Sequence, residues 1–478
     1  MKRLAICLDK YPLLILAIVA TIPRLATLGM ESLWFDESFT WLVVKPGTDF
    51  WHAVLGDDHP PLWSMVQWLN VRLFGGSEFA FRLPAMLFSI ACVLLIYVIA
   101  LQVTSHRPTA LIAGLFTALL PGSVYFGQDG RMYAAMACFI LLMVWAALNG
   151  NWGLLIVAGI ATEYTQTAGL MYIGAIAVGF LLVSRSPKDL LKPFLAFCGI
   201  GLAYLPWAGI MLTQAGRVAQ SFWTPPLNGI NVFWPLLLTS MGSRAPDLLQ
   251  IPVYGFAVAM TIVGLMVSRR WLLSTGRIVL IALVGGPALL ALVSLAWGHS
   301  IYVYRPMLVS GLLLTIPWAY ALTHLDLTNR RPAQVAATVT ILIALVCYYT
   351  NNRRADIPAW VAPITSAWQP GDIVYYPNPG NSITFGHYLL DKPYAVFPLP
   401  GTVMSITDEC RKAFGMKEDA LLNLFYEGYK RVWVINVINP FSQPEESSTL
   451  AYEQAHGVKV VDTRDTDISE ESIYLVRP

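Results

Sequence analysis

Residues 12–38 read PLLILAIVATIPRLATLGMESLWFDES, an apolar run that ends on the adjacent carboxylates Asp36 and Glu37. From Pro12 to Gly29 the run is about long enough to cross a hydrocarbon layer as a helix. Two acids directly beyond it stand at the mouth of that layer, where an ionised side chain is costly unless it pairs or lines a wet cavity. Lys2, Arg3 and Lys10 precede the run, in the outline of a signal peptide. Arg24 lies inside it, however, no small-residue cleavage motif follows, and many more apolar runs come later, so it reads as the first spanning helix.

The whole chain repeats that message. Of 478 residues, 56% are hydrophobic and 13% charged, and the mean hydropathy is +0.58. A chain this apolar belongs in a bilayer. The net charge is +2 with Lys and Arg scattered through short loops, which excludes a clustered basic surface for nucleic acid. The six cysteines, Cys7, Cys92, Cys138, Cys198, Cys347 and Cys410, sit mostly in apolar runs without CxxC or Cys/His spacing. They read as small core hydrophobes, with no disulfide framework and no cysteine-bound zinc.

Further apolar runs fall near 84–103, 109–126, 131–148, 151–167, 169–184, 194–213, 250–268, 278–297, 305–323 and 333–350. With the first they predict about eleven spans. A cytoplasmic N-terminus puts Arg107, Arg185, Lys188, Lys192, Arg269, Arg270, Arg277, Arg330 and Arg331 on the inner side, and leaves the longer opposite loops poorer in basic residues. The positive-inside rule therefore sets Asp36, Glu37 and everything after the last span outside. Loop 30–83 carries Leu62, Val66, Leu69 and Leu73 at helical spacing after Pro60-Pro61, an interfacial amphipathic helix. A second interfacial piece is expected at Asn231–Met241. From about 351 the charge density rises and apolar runs shorten: 373–376, 431–437, 458–461 and 473–476 read as strands, with helical patterns around 382–390 and 408–429. The expected domains are thus a transmembrane catalytic part, 1–350, and a soluble α/β part, 351–478. No GxGxxG or P-loop marks a nucleotide site.

Candidate chemistry collects on the outer side. Asp57, Asp58 and His59 stand before Pro60-Pro61, and Asp129, Arg131 and Tyr133 fill the short turn Gln128-Asp129-Gly130-Arg131-Met132-Tyr133. Taken alone, Asp36 and Glu37 read as solvating interfacial charges; the company of these residues argues for a site. Glu163 lies near a span end, where pairing with Arg24 or another buried base is the plain structural reading. Arg305 opens a late span after Tyr302 and Tyr304, where it either snorkels or holds an anion. His59 and Asp129 leave a divalent cation as an open alternative, although one histidine before Pro-Pro more naturally serves as a hydrogen-bonding scaffold.

Arg24-Leu25 with Leu33-Trp34-Phe35-Asp36-Glu37, then His59-Pro60-Pro61-Leu62-Trp63, then the 128–133 turn, then Tyr304-Arg305-Pro306 together resemble the GT-C glycosyltransferases. The nearest branch is that of the protein O-mannosyltransferases and the aminoarabinose transferase. The resemblance covers roughly 1–350 and is specific in its combination of motifs. It implies a multi-span helical membrane enzyme that transfers a sugar, with inversion, from a polyprenyl-phosphate carrier to an acceptor glycan, lipid or protein. It also implies the plasma membrane, the inner membrane in a bacterium, with the active site and tail on the outer face. Asp36 is then the base and Glu37 its orienting catalytic partner. Arg305 first, and Arg131 second, take the donor phosphate, the alternative for Arg131 being that it simply neutralises Asp129. His59, Asp58, Asp129, Tyr133, Glu163 and Tyr304 line the substrate cavity. Near Gln166 the family often shows a histidine; its absence here puts a metal or phosphate role at that spot in doubt. Two other classes stay open: a transporter or lipid flippase, though no internal repeat is seen, and a non-catalytic receptor acting through its tail.

Overall fold

The computed structural model describes residues 10–183, 186–221, 224, 227, 232–242, 246–298, 300–351, 354–398, 406–419, 421–438, 459–466 and 469–476. Lys2, Arg3, Cys7, Arg185 and Asn231, named above, and position 458 at the start of an expected strand lie outside these residues. By contacts the chain divides into two compact units: Met1–Met30, His59–Val66 and Phe79–Arg353 form the first, and Glu31–Asp58, Gln67–Glu78 and Arg354–Pro478 the second.

The first unit is helical. Among the described residues six helices are long and apolar enough to cross a membrane: Glu78–Thr104, Lys188–Ala219, Asp247–Leu272, Arg277–Trp297, Arg305–His324 and Arg330–Thr350. A seventh span counts if the pair Arg107–Leu119 and Pro121–Gly127, bent by 59°, crosses as one. Pro121 causes that bend: Leu120 before it is extended, φ −61° and ψ 128°, as the residue preceding a proline prefers. The remaining four expected spans are helices in the expected places but short: Pro12–Leu25 has 14 residues, Tyr133–Leu148 has 16, Trp152–Thr165 has 14 and Gly169–Val183 has 15. At 1.5 Å per residue such helices reach about 21 to 24 Å, less than the ~30 Å of a bilayer core.

Arg24 staples this bundle. It is wholly buried, and its guanidinium donates to Ser89 Oγ at 2.8 Å, Ala20 O and Ala118 O at 2.9 Å, and Ser123 Oγ at 2.8 Å. These bonds satisfy the buried cation from four chain segments, as a charge removed from water requires. The pairing with Glu163 is thereby corrected: Arg24 is bound elsewhere.

In the second unit, strands β1 (Asp372–Tyr376), β2 (Tyr394–Val396), β3 (Arg431–Ile438), β4 (Lys459–Thr466) and β5 (Ser469–Val476) form one sheet in the order β2-β1-β3-β5-β4. β1 runs parallel to β2 and β3, while β5 is antiparallel to β3 and β4. Alternate residues of β1 point to opposite faces. Val374 and Tyr376 pack with Trp360, Ile364 and Trp433 on one side, and Ile373 and Tyr375 with Leu424, Val432 and Val434 on the other. Asp372 closes the β1–β3 register by accepting from Arg431 Nε at 2.7 Å and Trp433 Nε1 at 3.0 Å.

The helices of loop 30–83 belong partly to this unit. Phe35–Val44 and Phe50–Gly56 pack on the helices Pro379–Gly386 and Asp408–Phe414. Phe39 meets Phe414 edge to face at 5.6 Å, and Trp41 meets His387 at 4.6 Å. Thr407 caps Asp408–Phe414 by accepting from Cys410 N at 3.2 Å, and its hydroxyl donates to Gly56 O at 3.1 Å. The amphipathic segment after Pro60 is a helix, Pro61–Phe74, with Met65, Trp68, Leu69 and Leu73 exposed. The second expected interfacial piece is the helix Trp234–Met241.

Candidate active site

The helix Phe35–Val44 starts with Asp36 and Glu37 in its first turn, where the positive end of the helix dipole favours carboxylates. Trp34 occupies the N-cap but offers no side-chain acceptor. Glu37 supplies the return half of a capping box instead, accepting from Trp34 N at 3.4 Å. Glu37 is fully buried, and the buried charge is matched by Arg354, which pairs with it and approaches Glu31 with Nε at 3.6 Å. The same guanidinium lies 5.8 Å from the centre of the Trp34 ring. Asp36 beside it is half-buried, and its backbone carbonyl accepts from Thr40 Oγ1 at 3.1 Å. Glu37 is therefore a structural partner of Asp36, engaged by Arg354.

Arg354 was not among the residues the sequence analysis selected. Its signal was present: Arg353-Arg354 follows the last span on the side that the positive-inside rule keeps poor in basic residues. A cation in the wrong loop calls for a partner.

Asp57 is buried and Asp58 half-buried, and Asp58 N donates to Asp57 Oδ1 at 2.6 Å. Both carboxylates act on the Cys410 thiol, which burial first, and these charges after it, push up to about 12. Asp58 thus stands with the C-terminal half of its own unit.

In the first unit, the turn after Pro121–Gly127 is held rigidly. Gln128 Nε2 donates to Arg24 O at 2.7 Å and Thr27 Oγ1 at 3.0 Å, and Tyr348 donates to Gln128 Oε1 at 2.6 Å. Trp63 Nε1 donates to Gly130 O at 3.0 Å, tying the His59 segment to the same turn. Asp129, Arg131 and Tyr133 are all buried. His59 lies next to them: burial first, then the guanidiniums of Arg131 and Arg305, hold its imidazole well below its ordinary pKa. Its Nδ1 is buried without a hydrogen-bond partner among the described residues, and its carbonyl accepts from Gln214 Nε2 at 3.4 Å. Arg305 is half-buried, its guanidinium 6.0 Å from the Tyr133 ring centre and 5.9 Å from that of Tyr304. Tyr302 is occupied otherwise, donating to Val232 O at 2.8 Å.

The fold thus brings His59, Arg131, Tyr133, Tyr304 and Arg305 together from three distant segments, with Asp129 in the same turn as Arg131. Two guanidiniums act on the His59 imidazole, and one of them, that of Arg305, lies near two tyrosine rings. A metal does not fit there. No group of three His, Cys, Asp or Glu side chains able to hold one occurs among the described residues, and two guanidiniums acting on His59 oppose a further cation. Glu163 stands apart from this group, with Tyr164 and Tyr204.

Residues 58–209 match a family described as dolichyl-phosphate-mannose-protein mannosyltransferase. Over 97% of both chains the structure resembles ArnT from Cupriavidus metallidurans in the apo state, at 13% identity and a TM-score of 0.65. The chain shares the fold of ArnT. ArnT bound to undecaprenyl phosphate gives the same TM-score, 0.65, at 14% identity over 97% of each chain. The oligosaccharyltransferase of Archaeoglobus fulgidus gives 0.55 at 11% identity, over 89% of this chain and 69% of that one. No curated protein matches the chain by sequence. The family match takes in His59, Asp129, Arg131, Tyr133 and Glu163, whereas Asp36, Glu37 and Arg305 lie outside it.

Proposed function

We propose that the protein is an inverting glycosyltransferase that moves a sugar from a polyprenyl-monophosphate carrier to an acceptor hydroxyl at the outer face of the membrane. The observation that carries this reading is the convergence of Arg131 and Arg305 on the half-buried His59, whose Nδ1 is out of water, at the ends of apolar helices. A lipid phosphate is an anion delivered at that depth. ArnT, whose fold the chain shares, has been solved with undecaprenyl phosphate, and the family matched by residues 58–209 is named for a dolichyl-phosphate sugar.

In the proposed reaction the acceptor oxygen attacks the anomeric carbon as the bond from that carbon to the phosphate oxygen breaks. The acceptor proton passes to Asp36, and the electron pair of the broken bond leaves with the polyprenyl phosphate. Arg305 and Arg131 hold the growing phosphate charge, a kind of fixed electrostatic contact that contributes most when made in the transition state. Neutral His59 can donate one hydrogen bond to a phosphate oxygen without adding a third cation. Asp129 orients Arg131, and Tyr133 and Tyr304 flank the guanidinium of Arg305. Asp58 and Glu163 are assigned to the substrate cavity, and Glu37 to keeping Asp36 in position. Acceptor glycans, lipids and proteins all present the hydroxyl this chemistry needs.

The test is incubation of the purified protein with a panel of polyprenyl-phosphate sugars and an acceptor extract, following release of polyprenyl phosphate. Release from at least one donor is expected; no release from any would overturn the proposal.

A further inference from the structure

Helices Trp152–Thr165 and Pro187–Ser221 approach closely: a Cβ built on Gly159 would lie 2.3 Å from Ile200 Cδ1. Only glycine's hydrogen fits there, so the Ile200 side chain lies directly against the Gly159 backbone at that turn. One turn further along both helices, Glu163 is set against Tyr204. Tyr164 locks this register, donating to Ala203 O at 2.8 Å and meeting the Tyr204 ring edge to face at 5.5 Å. Tyr204 faces the side chains of Glu163 and Thr167. Trp207, three residues on, shares the helix face of Tyr204.

All three side chains are out of water: Glu163 is 1% exposed, Tyr204 6% and Trp207 7%. Yet Glu163 Oε1 and Trp207 Nε1 have no hydrogen-bond partner among the described residues. One buried, unmade hydrogen bond costs roughly 1–3 kcal/mol, and a carboxylate costs more. Arg24, the buried cation that could have neutralised Glu163, is spent on Ser89, Ser123 and backbone carbonyls. An acceptor and a donor left waiting on adjacent helices, beside aromatic rings, call for a ligand that offers hydroxyls.

We propose that Glu163, Tyr204 and Trp207 form a subsite for the hydroxyl-bearing sugar ring of the donor. A carboxylate accepts from neighbouring ring hydroxyls, an indole N–H donates to a sugar oxygen, and the aromatic rings cover the apolar C–H face. This cluster offers hydrogen-bonding groups and aromatic faces but no cation, whereas the one around Arg305 offers two guanidiniums, so the two select opposite ends of one substrate. The inference rests on the polyprenyl-phosphate-sugar reading above and assigns the sugar end of that donor to particular residues.

The test measures binding of two probes to the full-length protein in detergent by titration calorimetry: polyprenyl phosphate carrying a neutral hexose, and bare polyprenyl phosphate. Wild type binds the hexose-linked carrier more tightly than the bare one. Glu163→Gln keeps the side-chain shape and reduces that preference about tenfold, and Trp207→Phe, which removes only the N–H donor's ring edge, reduces it several-fold. Bare-carrier affinity stays at the wild-type value in both. The inference is overturned if both variants keep the full preference, if wild type shows none, or if the variants lose both ligands together, which marks a structural role. Failure of wild type to bind either carrier would instead sink the donor reading itself.

Discussion

The group around His59 and the group around Glu37 use arginine in opposite ways. Arg354 lies between two carboxylates, Glu37 and Glu31, and completes the cap of a helix. Arg131 and Arg305 converge on an imidazole that burial and their own charges keep neutral. An arginine placed between acids fixes a backbone, whereas arginines gathered on an imidazole raise a positive potential that attracts an anion. One region is a closed ion pair, and in the function proposed above the other holds the donor phosphate. Substitutions in the two should fail differently, the first in stability and the second in turnover.

The largest expected effect falls on the ligand-completed region. Arg305→Ala lowers kcat/KM for the polyprenyl-phosphate donor about 10²- to 10³-fold, the usual consequence of removing a fixed charge contact to a leaving oxyanion. The melting temperature stays close to wild type. An unchanged kcat/KM would make Arg305 a helix-end anchor and would erase the contrast.

Arg354→Ala should show the reverse. It strands the fully buried Glu37 carboxylate and lowers unfolding free energy by about 3 kcal/mol, at the lower end for a broken buried pair because Arg354 itself keeps some exposure. Thermal melting in detergent reads this directly. Arg354→Lys recovers part of the stability, since a lysine keeps the charge without the guanidinium fork.

A smaller effect is expected at Gly56, where an added Cβ would sit 2.6 Å from Thr407 Oγ1 and 2.8 Å from Cys410 Sγ. Gly56→Ala overpacks this contact at a cost of about 1–3 kcal/mol, measured by the same melt. Donor turnover per folded molecule stays unaltered; a large fall in it would blur the division of labour between the two regions.

The smallest effect is a pH slope. The folded pKa of His59 lies below its ordinary value of about 6.5, so the unfolded chain binds the extra proton first. Stability is then complete above pH 6.5 and is lost as pH falls below it, by up to ~1.4 kcal/mol per pH unit while only the unfolded chain titrates. His59→Gln should flatten the melting-temperature profile between pH 6.5 and 5. An unchanged slope would mean that His59 is protonated in the folded protein and that three cations share the site.

Much of the helical half was legible because an apolar run of spanning length is a strong local pattern; each of the eleven expected runs is helical. Helix ends were less so. The run 109–126 reads as one span, yet Pro121 breaks it, a local signal available at that residue. In the tail, β2 is missing from the sequence reading because three residues, Tyr394–Val396, carry too little alternation. The helix Ile357–Ala367 is also missing, although Asp356 at its N-cap and Pro358 in its first turn announce it.

What no local pattern encoded is that the helices after the first span pack with the C-terminal sheet domain, since Phe39 and Phe414 are far apart along the chain. The candidate site shows the same limit. His59, Arg131 and Arg305 were recognisable as residue types in suspicious places, but their convergence is tertiary. Trp207 was hidden in an apolar run, where a tryptophan reads as core; only its unpaired N–H, a property of the folded protein, sets it apart.

The most direct test of the central claim is the rate of polyprenyl phosphate release by Asp36→Asn, with the sugar donor identified from the panel and the acceptor saturating. Asn keeps the shape and removes the base, so release should fall at least a hundredfold while donor affinity stays at the wild-type value. Release at close to the wild-type rate would contradict the assignment of Asp36 as the group that takes the acceptor proton.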